Sequence, residues 1–215
     1  MKPQMTQQID TYFKWIAKLS YLNLLWLGFS VLGLLIGGFF PATAAMFNIC
    51  RKWVVGQSTE RLFNEFAYYF RKEFWKANFI GWIMVVLGVV LYLNYRVLEV
   101  SEGGYHLSVV FSFYVLLFLY TVVVVNIFAY LAFYESSLWM VLKNAMIIGL
   151  VHFPYTLAIF ITLVGLVYVS LSLPAMILFF IGSLGALSTS WLFHTSIKKL
   201  EEKRAQSNTL DAQQN

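Results

Sequence analysis

Residues 144–197 read NAMIIGLVHFPYTLAIFITLVGLVYVSLSLPAMILFFIGSLGALSTSWLFHTSI and contain no Asp, Glu, Lys or Arg. A helix needs about 20 apolar residues to cross a hydrocarbon core of about 30 Å, so this stretch is too long for one span. Proline suits the first turn of a helix, which makes Pro174 a natural start for a second span. The stretch therefore predicts two transmembrane helices, over residues 146–168 and 174–195, joined by a short turn.

The rest of the 215-residue chain has the same character, since 60% of all residues are hydrophobic and only 12% are charged. Gaps between charged residues predict three further spans, over residues 19–40, 77–95 and 105–134. These runs are continuously apolar, whereas the strands of a membrane barrel alternate. We therefore predict an all-α polytopic membrane bundle with five transmembrane helices, forming one domain over residues 1–200 with a polar C-terminal tail over residues 201–215.

Two pairs of small residues lie inside the predicted spans. Gly33 and Gly37 belong to the first span, and Gly182 and Ala186 belong to the fifth. Such pairs let neighbouring helices approach closely. We expect these contacts within the chain, with oligomerisation as the alternative.

The polar segment between the first two spans predicts a cytoplasmic amphipathic helical hairpin. Pro41 suits a first helical turn, Gly56 suits a helix end, and Ser58 or Thr59 suits the cap of a second helix. Phenylalanines then recur at helical spacing among charged residues, so the second helix is expected at the membrane surface. These phenylalanines are Phe63, Phe66, Phe70 and Phe74.

Basic and aromatic side chains of this hairpin are candidates for contact with lipid or with a partner protein. Cations and aromatic rings favour the headgroup zone, and an ordered basic surface also suits a cytoplasmic partner. Nucleic acid is not implied, because basic residues beside spans usually set orientation. The candidate contact residues are Arg51, Lys52, Trp53, Arg71 and Lys72, together with Glu135 in the third loop.

Lys and Arg are enriched in cytoplasmic loops, so their distribution predicts the orientation of the chain. With five spans, the face with the first loop, the third loop and the C-terminal tail carries 11 of them, and the other face carries 4. The count predicts an N-terminus outside and a C-terminus inside. This orientation is disfavoured by three lysines of the N-terminal tail, Lys2, Lys14 and Lys18, which would then lie outside.

Polar groups inside the predicted spans are few, and none is charged, which disfavours catalysis or ion coupling at depth. The candidate intramembrane polar residues are Asn94, Asn126 and His152, which can bond between helices or line a path for a neutral solute. His106, His152 and His194 lack the spacing of metal ligands, and no hydrolase or phosphate-binding motif occurs. We therefore predict a protein that is not an enzyme, with no catalytic residue, cofactor or metal.

Three short motifs are distinctive: LNLLW at residues 22–26, PATAAMF at residues 41–47 and RKW at residues 51–53. They resemble the YesL family, a group of small bacterial multi-pass membrane proteins that carry a domain of unknown function. The resemblance implies the bacterial cytoplasmic membrane. Because such proteins are often encoded beside carbohydrate uptake systems, it also implies an accessory role, with sugar ABC transporter subunits as expected partners.

The third loop is similar in layout to the loop that couples an importer's permease to its ATPase. That loop begins with Glu, continues as a short helix and is followed by Pro in the next span, as Glu135 and Pro154 are placed here. Ser136, Ser137 and Val141 stand where the importer loop carries Ala, Ala and Gly. This similarity makes Glu135 a candidate for contact with a partner protein.

Two functional hypotheses follow. The first is a non-enzymatic accessory component of carbohydrate uptake that binds membrane lipids and other membrane proteins. The alternative is a permease for a small neutral solute such as a sugar, acting as an oligomer, with Asn94, Asn126 and His152 lining its path.

Overall fold

The computed structural model describes the backbone of residues 2–100 and 106–214, and the side chains within residues 10–100 and 106–202. These backbone ranges form helices and connecting turns without a β-strand, which confirms the predicted all-α fold. The helices are α1 (Lys2–Leu32), α2 (Phe39–Val54), α3 (Leu62–Val100), α4 (Leu107–Phe133), α5 (Leu138–Val151), α6 (Phe153–Ser172), α7 (Pro174–Phe179) and α8 (Ile181–Gln214).

Four of the described helical segments are long and apolar enough to cross a membrane: Asp10–Leu32, Phe74–Val100, Leu107–Phe133 and Phe153–Ser172. Only 11% to 22% of the most apolar window in each is buried inside the protein, so much of their apolar surface is available to lipid. These features agree with a polytopic helical bundle. The predicted count of five spans is not confirmed.

The first predicted span, over residues 19–40, is not one helix. Helix α1 ends at Leu32, and residues 33–38 form a turn in which Leu34 and Leu35 have φ angles of 58° and 59°. The chain then returns alongside α1, because the Trp26 Nε1 group donates to Thr43 Oγ1 at 3.1 Å. Helices α1 and α2 are therefore an antiparallel hairpin. Gly33 and Gly37 lie in its turn and not in a helix–helix contact.

Helix α2 lies in the core of the bundle. Its Ala42, Ala45, Ile49 and Cys50 side chains are fully buried, and the helix packs against α1, α3, α4 and α8. Alanine-rich sequence allows these close approaches, because short side chains leave little space between helix axes. At the C-terminal end of α2, Gly56 has a φ of 80°, a conformation that glycine adopts without strain.

Helix α3 is continuous from Leu62 to Val100, so the second hairpin helix and the second predicted span, residues 77–95, are one rod of 39 residues. At 1.5 Å per residue it is about 58 Å long. Its N-terminal phenylalanines pack against α1, with Phe29 ring centroids 5.1 Å from those of Phe66 and Phe70. That packing buries Phe66 within the bundle, and the position of this Phe stripe at the membrane surface stays a prediction.

Helices α3 and α4 form a second antiparallel hairpin. The Tyr120 hydroxyl donates to the Met84 carbonyl at 3.0 Å, and the Tyr95 and Phe113 ring centroids are 6.4 Å apart. The outer part of the hairpin is apolar and exposed, as at Leu107, which is 81% exposed. Helix α4 lies within the predicted third span, residues 105–134, of which residue 105 lies outside the described part.

Two helix breaks interrupt the last two predicted spans. The fourth, residues 146–168, begins inside α5 and crosses a break at His152, where φ is −108° and ψ is 41°. The fifth, residues 174–195, starts at Pro174 as predicted but breaks at Phe180, where φ is −138°. Helix α8 then continues to Gln214, so the backbone of the predicted tail is helical as far as that residue.

Candidate functional site at the basic end of the bundle

Most of the predicted contact residues lie at one end of the bundle. Trp15 of α1 and Trp53 at the C-terminal end of α2 pack edge to face with ring centroids 5.5 Å apart. The ion pair between Lys72 and Glu135 joins the N-terminal part of α3 to the loop after α4 at the same end. We call this the basic end, defined by Lys18, Arg51, Lys52, Arg71, Lys72 and Lys76.

Lys52 and Trp53 are held by contacts within the chain. The Lys52 Nζ atom lies 2.5 Å from Glu65 Oε2, and both side chains are mostly buried, at 19% and 25% exposure. Trp53 Nε1 donates to Thr59 Oγ1 at 3.0 Å. These two residues therefore join α2 to the start of α3 and leave little free surface for a partner.

Lys72 and Glu135 form a more exposed pair, with Nζ 2.6 Å from Oε1 and side chains that are 41% and 87% exposed. The hydrogen bond from Lys72 lowers the pKa of Glu135, and the positive charges of Lys76 and Arg51 act in the same direction. The same bond raises the pKa of Lys72. Both groups therefore stay ionised at neutral pH, and the pair fixes the α4–α5 loop beside α3.

Glu73 lies next to this pair but is buried, at 9% exposure. Burial raises the pKa of its carboxyl, while the nearby charges of Lys76 and Lys72 lower it. Arg51 is also partly enclosed, and its Nε atom has no hydrogen-bond partner among the described residues. The basic end thus combines one exposed ion pair and one mostly buried ion pair with buried charge.

Arg71 is the predicted contact residue most available to a partner. It is exposed, and no ion pair to it is present among the described residues. It lines an open groove with both aromatic and polar walls on the first turns of α3, before the apolar segment that starts at Phe74. The groove is lined by Phe63, Asn64, Ala67, Tyr68, Arg71 and Lys72.

The predicted intramembrane polar residues do not form one site. Asn126 is buried, and its Nδ2 donates to the Val122 carbonyl at 2.9 Å and to Thr156 Oγ1 at 3.1 Å. Thr156 Oγ1 in turn donates to the Gly149 carbonyl at 2.9 Å. This chain of bonds satisfies polar groups beside the break at His152, as buried polar groups at a helix break require.

Asn94 lies apart from these residues, on the exposed part of α3. Its Nδ2 donates to the Val90 carbonyl of its own helix at 2.8 Å. His152 caps both α5 and α6 and lies beside Tyr155, with ring centroids 6.2 Å apart. Asn126 and His152 thus share one helix break, while Asn94 belongs to a different surface.

The most completely bonded side chain is one that the sequence did not single out. Asn23 is fully buried, and its Nδ2 donates to the carbonyls of Leu178 at 2.7 Å and Ile177 at 3.3 Å. Its Oδ1 accepts from the backbone N–H groups of Gly182 at 2.9 Å and Ser183 at 3.1 Å. One amide therefore bonds both sides of the break at Phe180.

A pattern in the sequence could have identified Asn23. It follows Leu19 by four residues and precedes Trp26 and Ser30 by three and seven, which places all four on one face of α1. Leu19, Asn23 and Ser30 are buried in the structure. An amide in the middle of such a face needs a buried partner, although the sequence does not reveal which one.

The predicted close approach at Gly182 is present within the chain. A side chain at this position would lie 2.9 Å from Asn23 Oδ1 and 3.2 Å from Trp26 Cε3. Ala186, one turn later, is buried at 2% exposure. Small residues therefore let α8 contact α1.

Groups of acidic, histidine or cysteine side chains that could hold a metal are absent from the described part of the chain. Among those residues the basic end offers ion pairs and aromatic surface, without a nucleophile next to a general base. The arrangement can bind anionic groups, and nothing in it points to catalysis.

The fold defines a polytopic helical membrane protein. A family model described as a protein of unknown function, DUF624, matches residues 19–95. Three proteins of Bacillus subtilis strain 168, each described as uncharacterized, are similar over most of the chain. YesV is 30% identical over 84% of this chain and 86% of its own length.

The other two relatives agree with this match. YteU is 28% identical over 89% of this chain and 86% of its own length. YesL is 27% identical over 91% of this chain and 92% of its own length. No solved structure matches the chain. The chain belongs to the YesL-like DUF624 family.

Proposed function

We propose that this protein is a non-enzymatic component of the bacterial cytoplasmic membrane that binds another membrane protein through its basic end. The groove around Arg71 carries the proposal, because it combines an exposed cation with aromatic walls outside the apolar segment of α3. Arg and aromatic residues are the side chains that most often anchor a protein interface. A partner with an acidic surface facing the cytoplasm fits this groove.

The carbohydrate context is what the resemblance to the YesL family implies. An accessory protein of a sugar importer would contact the importer near the cytoplasmic face, where the α4–α5 loop and the Arg71 groove lie together. The Lys72–Glu135 pair supports this reading, since it holds the loop next to the groove. Sugar ABC transporter subunits are therefore the first partners to look for.

Crosslinking in native cells, extraction in mild detergent and mass spectrometry of the co-purifying proteins test the proposal. We expect importer subunits to co-purify with the wild-type protein. Arg71→Glu is expected to reduce their recovery by about tenfold, which corresponds to a loss of about 1.4 kcal/mol of binding free energy. Arg96→Glu is the matched control, because Arg96 lies near the other end of α3. Equal recovery with both variants would contradict the role of the groove, and recovery of the protein alone would favour the permease hypothesis.

We further propose that both termini face the cytoplasm. The expectation of an external N-terminus requires α1 to separate Lys14 and Lys18 from Arg51 and Lys52 across the bilayer. The α1–α2 hairpin instead brings these cations to one end, since Trp15 packs on Trp53. Lys and Arg at a single end support a cytoplasmic position for all of them.

Reporter fusions at the two termini check this orientation. We expect a green fluorescent protein to fluoresce at either terminus, and an alkaline phosphatase, which is active only outside, to be inactive at both. An active phosphatase at the N-terminus together with a fluorescent C-terminus would contradict this orientation. It would support the external N-terminus and internal C-terminus that the charge count predicts.

A further inference from the structure

Two apolar grooves lie side by side on the outer face of α3 and share Leu87 as a wall. The first is bounded by α3 and the start of α5 and is lined by Trp75, Lys76, Asn78, Phe79, Trp82, Ile83, Val86, Leu87 and Leu138. The second, of about 470 Å³, lies between α3, α4 and α5. Its walls are Met84, Leu87, Val90, Leu91, Leu116, Leu119, Tyr120, Val123, Trp139, Leu142, Lys143 and Met146.

Each groove contains a single charged residue, and that residue is a lysine: Lys76 in the first and Lys143 in the second. Lys143 is exposed, and no ion pair to either lysine is present among the described residues. The first turn of α5 lies between the grooves, since Leu138 lines one and Trp139 lines the other. Each groove therefore carries one lysine close to the start of α5, Lys76 on α3 and Lys143 on the second turn of α5.

That helix N-terminus adds to the positive potential. Ser137, the N-cap of α5, makes no side-chain capping hydrogen bond, so backbone N–H groups of the first turn are left for an anion. Trp75 and Trp139 beside it are 83% and 75% exposed. Exposed tryptophan next to lysine is typical of the headgroup level of a bilayer.

Most of the other walls belong to the segments of α3 and α4 that are long and apolar enough to cross a membrane, and the rest belong to α5. A molecule that fits them needs an anionic group at the α5 N-terminus and apolar chains that extend into the bilayer. We propose that this surface is a specific site for an anionic diacyl phospholipid, with its phosphate between Lys76 and Lys143 and an acyl chain in each groove. This site goes beyond the proposed partner role and does not depend on it.

Native mass spectrometry of the delipidated full chain, with phosphatidylglycerol or phosphatidylcholine of identical acyl chains, tests the site. We expect the wild type to retain phosphatidylglycerol in preference to phosphatidylcholine. Each lysine is expected to contribute about fivefold, so Lys76→Gln with Lys143→Gln should remove most of the preference. Arg96→Gln, near the other end of α3, is the matched control and should leave it unchanged.

Val90→Trp tests the apolar wall separately, because it fills the second groove without changing any charge. We expect it to lower retention of phosphatidylglycerol while the midpoint of thermal unfolding stays close to that of the wild type. Equal retention of the two lipids by the wild type, or an unchanged preference in the double lysine variant, would overturn the site. A dimer that forms in detergent and excludes lipid from the grooves would also overturn it, by showing a second copy as the occupant.

Discussion

Replacing Asn23 with leucine is expected to destabilise this protein more than any other substitution at a polar residue described above. The change removes both donors to the Ile177 and Leu178 carbonyls and the acceptor of the Gly182 and Ser183 N–H groups. A buried polar group that loses its partner costs about 1–3 kcal/mol, so the combined loss is expected to be about 3 kcal/mol or more. For a chain of this length that corresponds to a fall of about 10 °C in the unfolding midpoint.

Cys50 provides the measurement, because it is the single cysteine of the chain and is fully buried. A fluorogenic thiol reagent added to the detergent-solubilised protein therefore reports unfolding as the temperature rises. Asn94→Leu is the matched control, since Asn94 is exposed and its amide, among the residues that the structure describes, bonds only to the Val90 carbonyl of its own helix. We expect that control to change the free energy of unfolding by less than about 0.5 kcal/mol. A similarly small effect for Asn23→Leu would contradict the prediction, because it would show that water or a shifted backbone satisfies the N–H and carbonyl groups at the break.

Replacing Gly38 with alanine is expected to have the second largest effect, because it disrupts the α1–α2 turn. The added methyl group would lie 2.6 Å from the Ser30 carbonyl oxygen and 2.7 Å from that of Phe29. It would also lie 2.9 Å from Gly33 Cα, and all three contacts are with backbone that has little freedom to move. Overpacking of this kind typically costs about 1–3 kcal/mol.

Gly28→Ala is the control for this prediction. Gly28 lies in the same helix as Ser30, and a methyl group there would meet nothing within 4 Å. Because alanine also favours helix by up to about 1 kcal/mol over glycine, the control is expected to be neutral or slightly stabilising. The same Cys50 assay measures both variants. If Gly38→Ala unfolded at the wild-type temperature, the close packing of the turn against α1 would be wrong.

The features that the sequence predicted correctly are those with local causes. Long uncharged runs predict helices wherever they occur, and Gly56 and Pro174 mark a helix end and a helix start because their backbone preferences are local. The turn at residues 33–38 has no such local signal, because it consists of apolar residues and glycines that also suit a span. Leu34 and Leu35 adopt positive φ angles there despite their side chains.

The parts of the candidate site that sequence could not predict depend on contacts between distant residues. Lys72 and Glu135 are 63 residues apart and meet because α3 and α4 are antiparallel. The pairing of Lys52 with Glu65 depends on the reversal of the chain after α2. The break at Phe180 has no breaker in the sequence, and the amide that bonds its two sides is more than 150 residues earlier. Composition alone contains none of this information.

The distance along the chain between Asn23 and its partners has a consequence for biosynthesis. Helix α1 leaves the ribosome before helix α8, because Gly182 and Ser183 follow Asn23 by 159 and 160 residues. The amide of Asn23 therefore enters the membrane before its partners exist and stays exposed to lipid or to the insertion machinery throughout translation. Ribosomes that stall before residue 183 would produce chains with an unsatisfied amide at membrane depth, which gives a membrane protease a simple criterion for recognising incomplete molecules.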